Sequence, residues 1–216
     1  VPRLWRVRPT LCQNAGVDLL NKFPIISDQV TKAELGVVLA ELQKVLQART
    51  IGDVVELGCY VGTTSLFLQR LLHGVNKTLH VYDSFQGLPA KTAADQSAIG
   101  TQYVAGELAA TKAQFIANFR KARLPLPVMH KGWFSELKPA DLPVNICFAY
   151  LDGDFYDSIK DSLALVWPRL SPGATIVVDD YQHDALPGTR KAVDEWLKLH
   201  PASLRVQQSL AIIRPK

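Results

Sequence analysis

The sequence predicts a doubly wound α/β domain: a mostly parallel seven-stranded sheet closed at its C-terminal end by an antiparallel hairpin. Three observations carry that reading. Short apolar and β-branched runs recur at 53–57, 78–82, 128–130, 145–151 and 174–178, each flanked by Gly, Pro, Asn or Asp, the pattern of strands buried on both faces. Amphipathic stretches with apolar residues three and four apart fall between several of them. Two further short runs, 204–206 and 210–213, sit close enough to pair as a hairpin. Strand and helix patterns in alternation give parallel strands with helices on both faces.

In order, residues 1–24 are mixed and weakly periodic, so residues 1–30 are expected to form an N-terminal arm or helical cap, with 31–216 as one domain. Thr31-Lys32-Ala33-Glu34 is a capping-box pattern, and the Leu and Val residues after it give an amphipathic helix ending near Arg49. Strand 53–57 leads into a helix at 62–73 and strand 78–82. A helix at 111–122 opens on another capping box, Thr111 with Gln114, before the strand at 128–130. Strand 145–151 is followed by a helix expected over 156–170, stopped by Ser171-Pro172-Gly173, and by strand 174–178. A last helix spans 188–200. Residues 84–110 break the rhythm: Ala, Thr, Gly and Gln predominate with no sustained period. A connection that long in a compact domain reads as a lid over a binding site.

The unit 145–178 organises the chemistry. Strand, helix and strand make both strands parallel, so Asp152 and Asp154 after one, and Asp179 and Asp180 after the other, reach the same carboxyl edge of the sheet. That is where ligands bind in open α/β sheets. Four carboxylates at short range repel strongly and need a cation, shared protons or a basic ligand. The charge distribution agrees. The chain carries +4 overall, yet 152–184 holds seven Asp against Lys160 and Arg169, so that stretch is −5 and the remainder +9. An acidic pocket in a basic protein favours a bound cation over nucleic acid, whose site would be a basic stripe. No membrane partner is indicated: no long apolar span or signal peptide is visible. Cys12, Cys59 and Cys147 are odd in number and widely spaced, which points to reduced thiols and a cytoplasmic location. The chain begins at Val1 rather than Met, which leaves a removed leader open.

The first strand ends Val54-Val55-Glu56-Leu57-Gly58-Cys59-Tyr60-Val61-Gly62-Thr63-Thr64. Gly58 is expected to allow a sharp turn and Gly62 close helix–sheet packing. A dinucleotide fingerprint requires a middle glycine to admit pyrophosphate, and Tyr60 stands near that place with GxxxG spacing. Tyr60 therefore disfavours an NAD-dependent oxidoreductase. Glu56 would repel a diphosphate and suit a cationic ligand such as S-adenosylmethionine. Asp83 ends the second strand 25 positions after Gly58, where an acid accepts from ribose hydroxyls.

At these residues the chain resembles a family. Glu56-Leu57-Gly58-x-Tyr60-x-Gly62 is similar to the cofactor motif of metal-dependent O-methyltransferases that use S-adenosylmethionine. Three further runs resemble the macrocin O-methyltransferase (TylF-type) group: Asp83-Ser84-Phe85-x-Gly87-Leu88-Pro89, Leu151-Asp152-Gly153-Asp154-x-Tyr156, and Val178-Asp179-Asp180-Tyr181 leading to Pro187-Gly188-Thr189-Arg190-Lys191-Ala192-Val193. The resemblance spans roughly Val55 to Trp196 and implies a Rossmann-like class I methyltransferase sheet. It implies Mg²⁺ held by Asp152, Asp179 and Asp180, with Asp154 as general base. The cofactor would lie against Glu56, Gly58, Tyr60, Thr64, Asp83 and Ser84, with Gly132, Trp133 and Phe134 beside the adenine. The acceptor would be a small molecule, the hydroxyl of a sugar or polyhydroxylated natural product. Oligomeric state is left open, a homodimer being one option.

Two departures separate the chain from catechol-type relatives. The last ligand position is Asp180 rather than Asn, and Phe155 stands where those enzymes carry a basic residue and some sugar-methylating relatives a His. A catechol-type enzyme acting on a vicinal aromatic diol is the nearest rival, and a catalytically silent S-adenosylmethionine-binding protein the rival of another class. Plainer roles compete as well. Asp154 could cap the following helix, His183 and Asp184 read as a solvated loop with substrate contact as runner-up, and Trp133 could be an ordinary core aromatic.

Overall fold

In the computed structural model, which describes residues 15–216, two helices precede the sheet: α1 (Ala15–Lys22) and α2 (Lys32–Gln47). The strands are β1 (Asp53–Leu57), β2 (Leu79–Asp83), β3 (Val128–Lys131), β4 (Ile146–Leu151), β5 (Leu170–Val178), β6 (Ala202–Gln207) and β7 (Leu210–Pro215). Helices α3 (Thr63–Leu71), α4 (Lys112–Lys121), α5 (Tyr156–Val166) and α6 (Pro187–Leu197) connect them. One seven-stranded sheet runs β3-β2-β1-β4-β5-β7-β6. The first five strands are parallel, and β7 is antiparallel to both β5 and β6.

Strand parity divides the core. Val54, Val81, Phe148, Tyr150 and Val177 face one side, packed with α2, α3 and α4 through Leu39, Phe67, Phe115 and Phe119. Their neighbours Val55, Tyr82, Ala149, Leu151, Ile176 and Val178 face the other, against Ile159, Leu163, Val193 and Trp196 of α5 and α6. Both expected capping boxes form: Thr31 Oγ1 accepts from the Glu34 amide at 3.2 Å, and Thr111 Oγ1 from the Gln114 amide at 3.2 Å. Within α2, Glu41 is 1% exposed and binds Arg205 Nη2 at 2.6 Å, with Arg214 on its other oxygen. This cluster ties α2 to the terminal hairpin.

The helix expected over 156–170 ends at Val166, and Trp167–Arg169 tightens into a 3₁₀ turn. Pro168 supplies the reason, since it has no N–H to continue the helical ladder. Ser171-Pro172-Gly173 then lies within β5, at the register shift between the Ile146 and Phe148 pairings, rather than as a separate stop. The last helix is likewise shorter than expected, Pro187–Leu197 against 188–200.

Residues 84–110 are docked rather than extended away from the body. Leu88 N donates to Glu107 O at 2.8 Å and Gly106 N to Leu88 O at 2.9 Å, closing the segment on itself. Leu88 packs on Phe155 and Leu186, with Tyr103 and Leu108 beside them. Within the expected arm, α1 packs against α2 and α3. Cys12 lies outside the described residues, and Cys59 and Cys147 are free and buried. No helix among the described residues is long and apolar enough to cross a membrane.

Candidate active site

A cavity of about 650 Å³ opens at the carboxyl ends of β1, β2, β4 and β5. That is within the size range of small-molecule and cofactor sites. Its floor is the turn after β1. Gly58 has φ +91°, and a Cβ there would lie 1.8 Å from the Asp152 carbonyl oxygen. Glycine is required by close approach of the β1 and β4 ends as much as by the turn. Gly62, with φ +89°, meets the Phe115 ring of α4 at 2.8 Å from a hypothetical Cβ, so its packing partner is a helix rather than the sheet.

Asp83 closes the turn from β2. Its Oδ2 accepts from the amides of Cys59 at 2.8 Å and Tyr60 at 3.2 Å, and its Oδ1 from Phe85 at 2.6 Å. Three of about four lone-pair sites are thereby used in holding the turn. Gly58, Tyr60, Asp83, Ser84, Gly132, Trp133 and Phe134 all line the cavity. Glu56 and Thr64 do not. Glu56 shares the parity of Val54, so it points beneath α3, where it is 1% exposed and accepts from Ser65 Oγ at 2.5 Å. Burial pushes its carboxyl up to about 8, with Asp83 adding to the rise against the Ser65 bond.

The four acids gather as the topology requires. Asp152, Asp154 and Asp180 each present an oxygen within 4.8 Å of the others. Asp179 sits behind them: its Oδ2 accepts from the Tyr150 hydroxyl, and its Oδ1 from the Asp180 amide at 2.9 Å. Burial raises all four carboxyls. Asp154 is pushed up to about 7, with Asp179 and then Asp83 adding to burial. Asp179 rises to about 6, held back by Tyr150 and the Asp180 amide. Asp152 and Asp180 rise well above the usual range through burial and then the charge of their neighbours, Asp179 first. Carboxylate oxygens grouped this way are the donor set of a hard divalent cation, and the residues present fit Mg²⁺. Tyr60, Asp154 and Asp180 hold φ of +44°, +60° and +55°, and Phe85 beside them +53°. Left-handed non-glycine residues cost about 1–3 kcal/mol each and concentrate where a site needs them.

Asp154 does not cap α5. The residue at the cap is Phe155, with no side-chain bond, and the first helical amide, Tyr156 N, is bound by Asp95 Oδ1 at 2.6 Å. The cavity also has a wall that sequence reasoning left out, Asp28, Gln29, Thr31 and Glu34 from the loop and cap before α2, and it is lined by Tyr103 and Leu108 of the expected lid and by His183, whose runner-up reading was substrate contact. The His183 ring meets Tyr103 edge-on at 6.1 Å, and its buried Nδ1 has no hydrogen-bond partner among the described residues. Proximity of the capping box to the sheet edge could have flagged Thr31 and Glu34; nothing local in the sequence marks His183 over Asp184.

A 3-2-1-4-5-7-6 sheet with a glycine turn after β1, an acid ending β2 and a carboxylate cluster after β4 and β5 defines a class I methyltransferase. The solved O-methyltransferase NovP superposes with a TM-score of 0.74 at 26% identity, covering 87% of this chain and 81% of that one. A calicheamicin methyltransferase shares the fold, with a TM-score of 0.71, 20% identity, and coverage of 94% and 90%. The chain belongs to the macrocin O-methyltransferase (TylF) family, whose profile matches residues 25–208. It is similar to the 8-demethyl-8-(2,3-dimethoxy-α-L-rhamnosyl)-tetracenomycin-C 4′-O-methyltransferase of Streptomyces olivaceus, 35% identical over 164 residues, covering 72% of this chain and 61% of that protein. The demethyldecarbamoylnovobiocin O-methyltransferase of Streptomyces niveus is 30% identical over 161 residues, covering 67% and 58%. The matches thus span about three fifths of the length of these curated relatives.

Proposed function

We propose that the protein is a Mg²⁺-dependent, S-adenosylmethionine-using O-methyltransferase that acts on a sugar hydroxyl of a glycosylated natural product. The observation that carries this is the group of Asp152, Asp154 and Asp180 oxygens within 4.8 Å, set beside the Gly58 turn in one cavity. Family membership supports the methyl-transfer chemistry. Nine of the lining residues are Asp or Glu, and none of the described ones is Lys or Arg. Such a field suits the sulfonium and ammonium of the donor, and it disfavours a diphosphate-bearing acceptor such as a nucleotide sugar. The acceptor in this reading is a neutral or cationic glycoside.

Asp152, Asp179 and Asp180 would hold the cation, with Asp179 oriented by the Tyr150 hydroxyl and the Asp180 amide. Mg²⁺, when bound, supplies the positive charge that makes a neighbouring hydroxyl easier to deprotonate. Asp154 takes that proton. Gly58, Tyr60 and Asp83 position the donor, Gly132, Trp133 and Phe134 flank its adenine, and the 84–110 segment, as a lid, excludes water. Glu56 acts beneath the turn through its bond to Ser65 of α3, and Thr64 lies outside the cavity lining. A second reading, favoured by the 4.8 Å grouping, makes Asp154 a ligand and Asp179 its support.

The test is methyl transfer to a panel of neutral glycosides, nucleotide sugars and catechols, with and without Mg²⁺. Transfer to a neutral glycoside only with Mg²⁺ is expected. Transfer to catechol alone moves the reading to the catechol-type rival; no transfer to any hydroxyl moves it to a silent binding protein. Asp154→Asn should abolish turnover while Mg²⁺ affinity, measured by calorimetry, holds. Loss of Mg²⁺ binding in that variant instead makes Asp154 a ligand.

A further inference from the structure

Two buried side chains from distant elements grip the peptide units around Asp154. Asp95 sits in the short 3₁₀ turn Ala93–Asp95 of the 84–110 segment and is 1% exposed. Its Oδ2 accepts from the Thr92 amide at 2.8 Å and the Thr92 hydroxyl at 2.7 Å, which fixes the carboxylate in place. Its Oδ1 accepts the Tyr156 amide at 2.6 Å, two residues past Asp154. Gly188 of α6 lies against that bond: a Cβ there would come 1.8 Å from Asp95 Oδ1 and 2.8 Å from Tyr156 N. The next residue, Thr189, is 0% exposed, and its Oγ1 donates to the Asp154 carbonyl at 2.9 Å.

The arrangement resolves a competition. Asp is a favoured helix-capping residue, and the first amides of α5 lack intrahelical partners. Left alone, the Asp154 carboxylate has those amides within its own chain to turn back upon. Asp95 already occupies the first of them. The Thr189 bond anchors the Asp154 carbonyl in a residue held at φ +60°, a conformation a non-glycine residue does not keep unaided.

We propose that Asp95 and Thr189 are positioning residues for Asp154: Asp95 takes the α5 cap, Thr189 fixes the strained peptide, and together they direct the Asp154 carboxylate into the cavity. Docking of the 84–110 segment and arming of the base are then one event, because the residue that caps α5 belongs to that segment. The proposal rests on Asp154 being the base.

The experiment compares Thr189→Val, Thr189→Ser and Asp95→Asn in the full chain, on the acceptor identified by the panel above. Thr189→Val keeps the side-chain shape and removes the donor. It should lower kcat roughly 10- to 100-fold, the scale of a misplacement near 1 Å, with KM for S-adenosylmethionine and the thermal midpoint near wild type. Thr189→Ser restores the donor and should recover kcat to within about threefold, a rescue that a role in packing alone would not give. Asp95→Asn, which cannot accept from Thr92 and Tyr156 together, should lower kcat in the same way. Wild-type kcat in Thr189→Val, or a loss that Ser does not rescue, overturns the proposal. Should Asp154→Asn itself turn over normally, the reading of the base fails first; should it be inactive while Thr189→Val and Asp95→Asn are not, only the positioning claim fails.

Discussion

Replacing Glu56 by Gln isolates the buried acid beneath the cofactor turn. Folding raises its carboxyl from 4.5 to about 8, chiefly by burial, with Ser65 Oγ as its bonded partner at 2.5 Å. A raised carboxyl pKa means that the folded state binds the proton more tightly than the unfolded one. The contribution to stability is therefore fully present below pH 4.5 and is lost as pH climbs through the folded value, about 8. Between pH 5.5 and 8 the loss is on the order of 3 kcal/mol, at 1.36 kcal/mol per unit. Gln keeps an oxygen for Ser65 and cannot ionise, so its stability lacks this slope. Its extra amide hydrogens carry a pH-independent penalty of about 1–3 kcal/mol, which offsets the two curves without tilting either. The other raised carboxyls are common to both proteins and largely cancel in the difference. Urea melts of both proteins, without donor or metal, across that pH range should show Glu56→Gln gaining on wild type by on the order of 3 kcal/mol as pH rises. Parallel stability–pH curves would refute the reasoning and mean that Glu56 ionises without penalty where it sits.

Gly58→Ala puts a Cβ 1.8 Å from the Asp152 carbonyl at φ +91°, so it should destabilise by more than the roughly 1–2 kcal/mol of left-handed backbone alone; a urea melt reads the loss and donor calorimetry the damaged turn. Tyr150→Phe removes the hydroxyl that orients Asp179 and little else, and is expected to weaken Mg²⁺ about 10- to 100-fold as outer partners of metal ligands do; unchanged affinity by calorimetry removes Tyr150 from the metal site. In the proposed metal site, Mg²⁺ would have to displace protons from ligand carboxyls that burial has raised, Asp179 to about 6 and Asp152 and Asp180 well above the usual range, so affinity should climb from pH 5.5 to 8 with proton release. Titrations in two buffers of different ionisation enthalpy measure that release, and a flat profile counts against it.

The clustering of Asp152, Asp154, Asp179 and Asp180 was legible because it depends only on topology: two parallel neighbours deliver their ends to one edge. The capping boxes at Thr31 and Thr111 were legible because they are local. That Asp154 does not cap α5 was not, since the first amide of that helix, Tyr156 N, is taken by Asp95, 61 residues before Tyr156 in the chain and without a periodic pattern around it. Glu56 lies between these cases. Its motif position suggested a cavity residue, yet the period of two that buries Val54 under α3 buries Glu56 with it, and Ser65 stands on the facing helix to bond it. Strand parity was in the sequence; motif position outweighed it. The end of α5 was misjudged for a simpler reason, because the apolar spacing continues through Leu170 while Pro168 forbids the hydrogen bonds.

The contact of Gly58 with the Asp152 carbonyl has a consequence for how such a protein can diversify. The turn after β1 and the Asp152 end of β4 abut through backbone, so Gly58 cannot gain a side chain without displacing the β4 end. The loop and cap before α2, the 84–110 segment and the turn around His183 form the rim of the cavity without joining that contact, so substitutions there leave it in place. On this plan the rim can be rewritten freely, whereas the ends of β1 and β4 can change only together.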